Sequence, residues 1–262
     1  MPLASGSVLS LRRLARLVGA ALLALALPAF AALAPAEAGE ASVAVAANFT
    51  EAAKEIGKLF EAETGHRAVF SFGSTGQLYT QISQGAPFEV FLAADATRPA
   101  KALAEGLAVA GSGFTYATGR IVLYSRDAGL VQGPETLETA GFAKLAIANP
   151  ATAPYGAAAV ETLRALGLYD ALAPRLVRGQ NIVQTYQFVE TGNAELGFVA
   201  LSQLAGHDGG SRWLVPAALY APIAQDAVLL ERGAGNAAAR AFLAFLKGPA
   251  AGAVKRKYGY GG

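Results

Sequence analysis

The sequence predicts an α/β fold with mostly parallel sheets flanked by helices. Two observations carry this. Short apolar, strand-like segments alternate with segments of helical spacing from residue 42 nearly to the C-terminus. Several of the helical segments close on a glycine, as helices that return to a sheet do. No repeat of fixed period and no low-complexity tract interrupts the pattern.

The elements follow in order. Residues 42–46 read as a strand. Residues 49–64 have helical spacing, with Ala52, Ala53, Ile56, Leu59 and Phe60 on one face and Gly65 as the stop. Residues 68–72 form the next strand, 76–84 a short helix and 88–93 a third strand. A helix over 99–105 stops at Gly106. Strands are expected over 120–125 and 145–148, helices over 156–166, 182–190 and 237–247, and further strands over 196–199 and 227–230. Break points fall near Thr118-Gly119 and near Pro222. Two chain crossings there divide the chain into lobe 1 (39–118 with 223–262) and lobe 2 (119–222), with a cleft between them.

The N-terminus reads as a signal peptide over residues 1–38. Arg12, Arg13 and Arg16 precede an apolar run over 17–33, and Ala36-Glu37-Ala38 offers small residues at a cleavage site. The run is short for a membrane span, and no cysteine is present to carry a lipid. A periplasmic location is therefore expected. Removing this segment takes away three of the 21 basic and one of the 19 acidic residues, leaving 18 of each. A neutral mature chain gives no reason to expect nucleic acid or an anionic membrane as partner. The absence of cysteine excludes thiol catalysis and thiolate metal sites. With only His66 and His207 as imidazoles, a zinc cluster or a Ser-His-Asp enzyme is poorly supplied.

Four strand-to-helix turns stand out: Ala46-Ala47-Asn48-Phe49-Thr50, Ser71-Phe72-Gly73-Ser74-Thr75-Gly76, 149–156 with Tyr155, and Gly179-Gln180-Asn181-Ile182-Val183. Each presents unpaired backbone N–H groups at the positive end of a helix dipole. One such end is equivalent to roughly +0.5 charge, so four offset about two negative charges. The turns contain no Lys, Arg, Asp or Glu. Donors without acceptors suit a fully ionised oxyanion better than a protonated one. Taken singly, Asn48, Ser74 and Thr75 read as helix caps, Tyr155 serves equally well as a core aromatic, and Ile182 offers only its N–H. Their joint occurrence before helices in both halves is what points to a ligand. Asp95 reads as a cap for the helix that follows it.

At these turns the sequence resembles the periplasmic molybdate-binding proteins of ABC importers. The resemblance runs from about Ser42 to Tyr260. It is carried by Val45-Ala46-Ala47-Asn48-Phe49-Thr50, Ser71-Phe72-Gly73-Ser74-Thr75-Gly76, Gln81-Ile82 with Gly85-Ala86-Pro87, and Phe91-Leu92-Ala93-Ala94-Asp95. It continues in Ala148-Asn149-Pro150, Ala153-Pro154-Tyr155-Gly156, Leu196-Gly197-Phe198-Val199-Ala200-Leu201 and Lys247-Gly248-Pro249. It implies a two-lobed, type II-like periplasmic binding protein that takes molybdate or tungstate in its cleft by hydrogen bonds. The ligand residues it implies are Asn48, Thr75 with its neighbour Ser74, Tyr155 and Ile182. They would hold the metal through its oxygens and not by direct coordination. It also implies a membrane ABC permease as partner, a monomer, no cofactor and no enzymatic activity. One departure is visible: Ala200 stands where some members have a ligand Tyr, and Tyr155 where those members have a small residue.

The competing reading within the class is a sulfate or phosphate binder. Outside it, an α/β enzyme lacks support, since no G-x-S-x-G, P-loop or G-x-G-x-x-G occurs in strand–turn–helix context. A metal-ion binder lacks a cluster of His and carboxylates at ligand spacing.

Overall fold

The structure, a computed structural model, describes residues 38–139 and 141–261. The expected signal peptide lies outside these residues except for Ala38. The elements are β1 (Glu40–Ala46), α1 (Thr50–Thr64), β2 (Arg67–Gly73), α2 (Thr75–Ser83), β3 (Val90–Leu92), α3 (Thr97–Ala104), β4 (Phe114–Gly119) and β5 (Ile121–Ser125). They continue with β6 (Leu145–Ala148), α4 (Pro154–Ala165), α5 (Tyr169–Leu172), β7 (Leu176–Gly179), α6 (Ile182–Glu190), β8 (Leu196–Ala200), β9 (Ser211–Leu214), β10 (Ile223–Leu229), α7 (Ala237–Lys247) and α8 (Pro249–Lys257).

Two five-stranded sheets result, β2-β1-β3-β10-β4 and β7-β6-β8-β5-β9. The chain passes from the first to the second at Arg120 and returns between Leu214 and Ile223. The two passages lie side by side, with Gly119 paired to Ile223. Each sheet centres one lobe.

The sheets are mixed, where mostly parallel pairing was expected. β1 pairs in parallel with β2 and β3, and β6 with β7 and β8. β10 runs antiparallel to β3 and β4, and β5 antiparallel to β8 and β9. The physical reason is the double passage. Strands that lead into cleft-side helices end at the cleft, whereas β5 and β10 begin there because the chain has just arrived from the other lobe. A direct arrival needs no helical crossover, so the strand enters antiparallel. The edge strands β4 and β9 complete the pattern and were not anticipated from the sequence.

Helix α1 shows how the pattern becomes packing. Ala52, Ala53, Ile56 and Phe60 are buried as the period requires. Leu59 is exposed, and Gly57 takes its place on the buried stripe. The helix ends at Gly65, whose φ of 73° is the left-handed cap that glycine adopts without strain. Phe60 meets Phe242 and Phe245 edge-on, with centroids 5.3 and 5.6 Å apart. Each such pair adds about 0.5–1.5 kcal/mol beyond burial. Separate apolar clusters line both faces of each sheet, so each lobe has its own core. The second lobe's cluster also takes in Ala46, Ala47 and Ala94 from the strand ends of the first. The lobes are thus in contact across the cleft.

Candidate anion site

The cleft-side ends of the parallel strands are where open α/β sheets place ligands. Here the four donor-rich turns converge on one small cavity. It is lined by Ala46, Ala47, Asn48, Gly73, Ser74, Thr75, Ala94, Ala153, Pro154, Tyr155, Asn181 and Ile182. All five residues singled out in the sequence are among them. No lining residue carries a charge. The cavity is small, with about 10 Å³ of room for the centre of a water-sized group, far below the roughly 300–1,000 Å³ of sites for drug-sized ligands. A small inorganic ion matches this size; a sugar or a peptide does not. A larger interlobe cavity of about 350 Å³ lies alongside, walled in part by Asp95, Arg98 and Glu161. Its two carboxylates disfavour an anion, so the smaller cavity is the better oxyanion site.

Each turn reaches the cavity differently. Asn48 sits in a 3-10 turn, Ala47–Phe49, that leads into α1. The cap reading fails for it: Phe49 occupies the N-cap position of α1 and makes no side-chain cap bond. The Asn48 amide is instead buried against distant partners. Its Nδ2 lies 2.8 Å from Gln225 Oε1, 3.1 Å from Tyr260 Oη and 3.3 Å from Tyr155 Oη.

Ser74 occupies the N-cap position of α2 but does not cap it; its hydroxyl donates to Gln77 Oε1 at 2.8 Å. Thr75 Oγ1 accepts the Ala94 N–H at 3.0 Å, which joins the start of α2 to the end of β3. That leaves the hydroxyl proton of Thr75 free for an acceptor in the cavity. Ile182 opens α6, whose first N–H groups precede any intrahelical bond. Asn181 caps this helix, accepting from Val183 and Gln184 N–H at 3.0 Å each. Asp95 does cap, accepting the Arg98 N–H at 2.9 Å.

Tyr155 is both a core aromatic and a cavity residue. Its ring belongs to the second lobe's apolar cluster, and its hydroxyl accepts from Gln225 Nε2 at 3.1 Å. Burial pushes its phenol far above the ordinary range, with Tyr260 and Tyr116 adding to the effect, and this outweighs the hydrogen bond from Gln225. The hydroxyl therefore stays protonated at any physiological pH.

Two bonds join the lobes at the lip of the cleft. Gly76 N–H donates to Thr152 O at 2.9 Å, and Arg98 Nη2 donates to Ala151 O at 3.1 Å. Arg98 is held by an ion pair with Asp95. Deeper in, Ser202 Oγ donates to Asn48 O at 2.9 Å, again from lobe to lobe. The molecule is closed.

Sequence reasoning missed Gln225, Tyr260, Tyr116 and Gly119. Gln225 is fully buried on β10, and an amide inside the apolar run Ile223–Leu229 was the available signal. Gly119 has no side chain because the Tyr155 hydroxyl needs the space. A Cβ there would run into Tyr155 Oη and come within 2.7 Å of Gln225 Nε2.

Comparison with known proteins agrees with this geometry. The family described as bacterial extracellular solute-binding protein matches residues 41–261. The molybdate-binding protein ModA of Rhodobacter capsulatus is 58% identical over 226 residues, covering 86% of this chain and 90% of that one. The protein of the same name from Azotobacter vinelandii is 54% identical over 257 residues, covering 96% and 98%. The solved structure of the Azotobacter vinelandii periplasmic molybdate-binding protein superposes with a TM-score of 0.82, at 40% identity, over 84% of this chain and 98% of that one.

Proposed function

This chain belongs to the bacterial extracellular solute-binding proteins, and on that premise we propose that it captures molybdate or tungstate in the periplasm and delivers it to a membrane ABC importer. The observation that carries the reading is the small, uncharged, donor-lined cavity between the lobes. Its chemistry is electrostatic complementarity without formal charge. Helix N-termini and the Thr75 and Tyr155 hydroxyls line the ligand position and meet a dianion without any charged side chain. The two relatives named molybdate-binding protein, at 58% and 54% identity over most of the chain, support the choice of anion.

In this reading Thr75 donates its free hydroxyl proton, Tyr155 donates its phenolic proton and Ile182 its backbone N–H. Asn48 lines the wall and fixes Tyr155. Ser74 acts through α2, its hydroxyl being taken by Gln77. The chain works as a monomer, without a cofactor or catalytic step, and the export segment at residues 1–38 is removed on the way out.

Thr75→Ala is expected to weaken molybdate binding about 10–150-fold, the loss of one hydrogen bond to a charged group. Thr75→Ser should retain most of the affinity. Titration calorimetry on variants that melt normally is the check, and wild-type affinity in Thr75→Ala would remove Thr75 from the ligand set.

The donors come from both lobes, so ligand should favour the closed state described above. Small-angle scattering is expected to show a smaller radius of gyration with molybdate than without. An unchanged radius counts against a hinged clamp unless the free protein already sits closed, held by the Gly76–Thr152 and Arg98–Ala151 bonds.

A further inference from the structure

Behind the anion cavity, the direction of the hydrogen bonds from Tyr260 through Asn48 and Gln225 to Tyr155 follows from one group that can only accept. The backbone carbonyl of Asn48 receives the Tyr260 hydroxyl at 2.7 Å. Tyr260 has then spent its single proton, so its oxygen must be an acceptor toward Asn48 Nδ2 at 3.1 Å. The same nitrogen faces Gln225 Oε1 at 2.8 Å. Tyr116 Oη also stands 3.1 Å from that oxygen. With its carbonyl end committed, Gln225 must turn Nε2 to Tyr155 Oη at 3.1 Å. Tyr155 Oη thus accepts from Gln225 Nε2, and Asn48 Nδ2, 3.3 Å away with both its protons committed, is a nitrogen that cannot accept. Among the described residues no group accepts the Tyr155 proton.

We propose that Gln225 is a positioning residue that sets the hydrogen-bond polarity of Tyr155, so that the site selects fully ionised oxyanions over protonated ones. By donating to Tyr155 it forces the tyrosine's own proton toward the cavity. The inference rests on the oxyanion reading above and goes beyond it by naming what makes the wall donor-only. The register of β4 against β10 slips beside Gln225, with Tyr116 as the extra residue on β4, and the Tyr116 hydroxyl lies against Gln225 Oε1. Alternation along β10 sends the neighbouring Asp226 carboxylate to the other face, where it accepts from Thr115 Oγ1 at 2.7 Å. The nearby Asp95 is engaged by Arg98. The titratable groups bonded to Gln225 are Tyr116 and Tyr155, both held neutral by burial.

Gln225→Glu nearly preserves shape and reverses one end of the chain of bonds. Its carboxylate accepts from Tyr155, so the Tyr155 proton leaves the cavity and a lone pair faces the anion. The added charge repels molybdate and hydrogen phosphate alike, since both are dianions. The ratio of their affinities therefore isolates polarity from charge. Competition of phosphate with molybdate at about pH 8.5, where phosphate is almost wholly the dianion, reads that ratio, and calorimetric titration with molybdate alone from about pH 6 to pH 8.5 reads its pH dependence. In the wild type the ratio should be large, and molybdate affinity flat with pH. In Gln225→Glu the ratio is expected to shrink by about tenfold or more, the scale of one charge-assisted hydrogen bond. Molybdate affinity should recover as pH falls and the new carboxyl becomes protonated. Tyr260→Phe keeps the ring that packs on Phe49 and removes the proton that fixes the direction, without adding charge. It should narrow the ratio in the same sense, and it decides the matter if Gln225→Glu does not fold. An unchanged ratio in the folded variants overturns the role of Gln225. A wild type that binds no molybdate overturns the oxyanion reading itself, which is a separate result.

Discussion

Molybdate and tungstate are expected to bind this protein two to four decades more tightly than sulfate or phosphate. All four are tetrahedral, so shape does not separate them. Size separates sulfate: its shorter bonds leave its oxygens farther from donors anchored on two lobes. The closed cleft cannot shrink to follow it, because Gly76 already contacts Thr152 and Ser202 already contacts Asn48 across the interface. A hydrogen bond stretched well beyond about 3.2 Å is largely lost. Protonation separates phosphate: near neutral pH it carries at least one proton, and the wall offers that proton no carboxylate and no charged residue. Two lost bonds to a charged ligand correspond to about 3–6 kcal/mol, which is the two to four decades stated. Competition titration with the four anions at one pH and ionic strength measures the order directly. Sulfate binding as tightly as molybdate would make this a sulfate-type binder of the same fold.

The second large effect is expected from Gly119→Ala. Gly119 ends β4 at the first passage between lobes and pairs with Ile223 at the second. A methyl group there runs into the Tyr155 hydroxyl and lies 2.9 Å from its Cζ. The backbone on both sides is held in a sheet, so the Tyr155 ring must move. Moving it breaks the bond from Gln225, crowds Asn48 and withdraws the hydroxyl from the cavity. Overpacking of this kind costs about 1–3 kcal/mol of stability. Losing Tyr155 and disturbing Asn48 together should cost about a hundredfold or more in molybdate affinity. Gly129→Ala serves as the control, since a Cβ at Gly129 meets nothing closer than 3.7 Å. Thermal melting without ligand and calorimetry with it separate the two losses. Normal affinity in Gly119→Ala would show that Tyr155 does not reach the anion.

What was legible in the sequence was local. The burial of Ala52, Ala53, Ile56 and Phe60 follows from a 3.6-residue period within one helix. The four cavity turns were legible for the same reason: a strand end, a small polar residue and a helix start lie within a few positions of one another. Asp95 and Asn181 were readable as a cap and a turn residue because their partners are two or three residues away.

The tertiary structure alone decided the rest. Asn48 looks like a cap from its neighbours, yet its amide bonds groups 107, 177 and 212 residues distant. Thr75 is tied to Ala94 and Ser74 to Gln77, so adjacent hydroxyls with the same local signal hold different duties. Mixed pairing in both sheets follows from where the chain passes between lobes, which no local pattern encodes. Gln225, Tyr260 and Gly119 carry no motif. A buried amide or phenol must satisfy its hydrogen bonds with whatever the fold brings to it. Local sequence determined where the donors stand, and long-range packing determined which of them are free to face an anion.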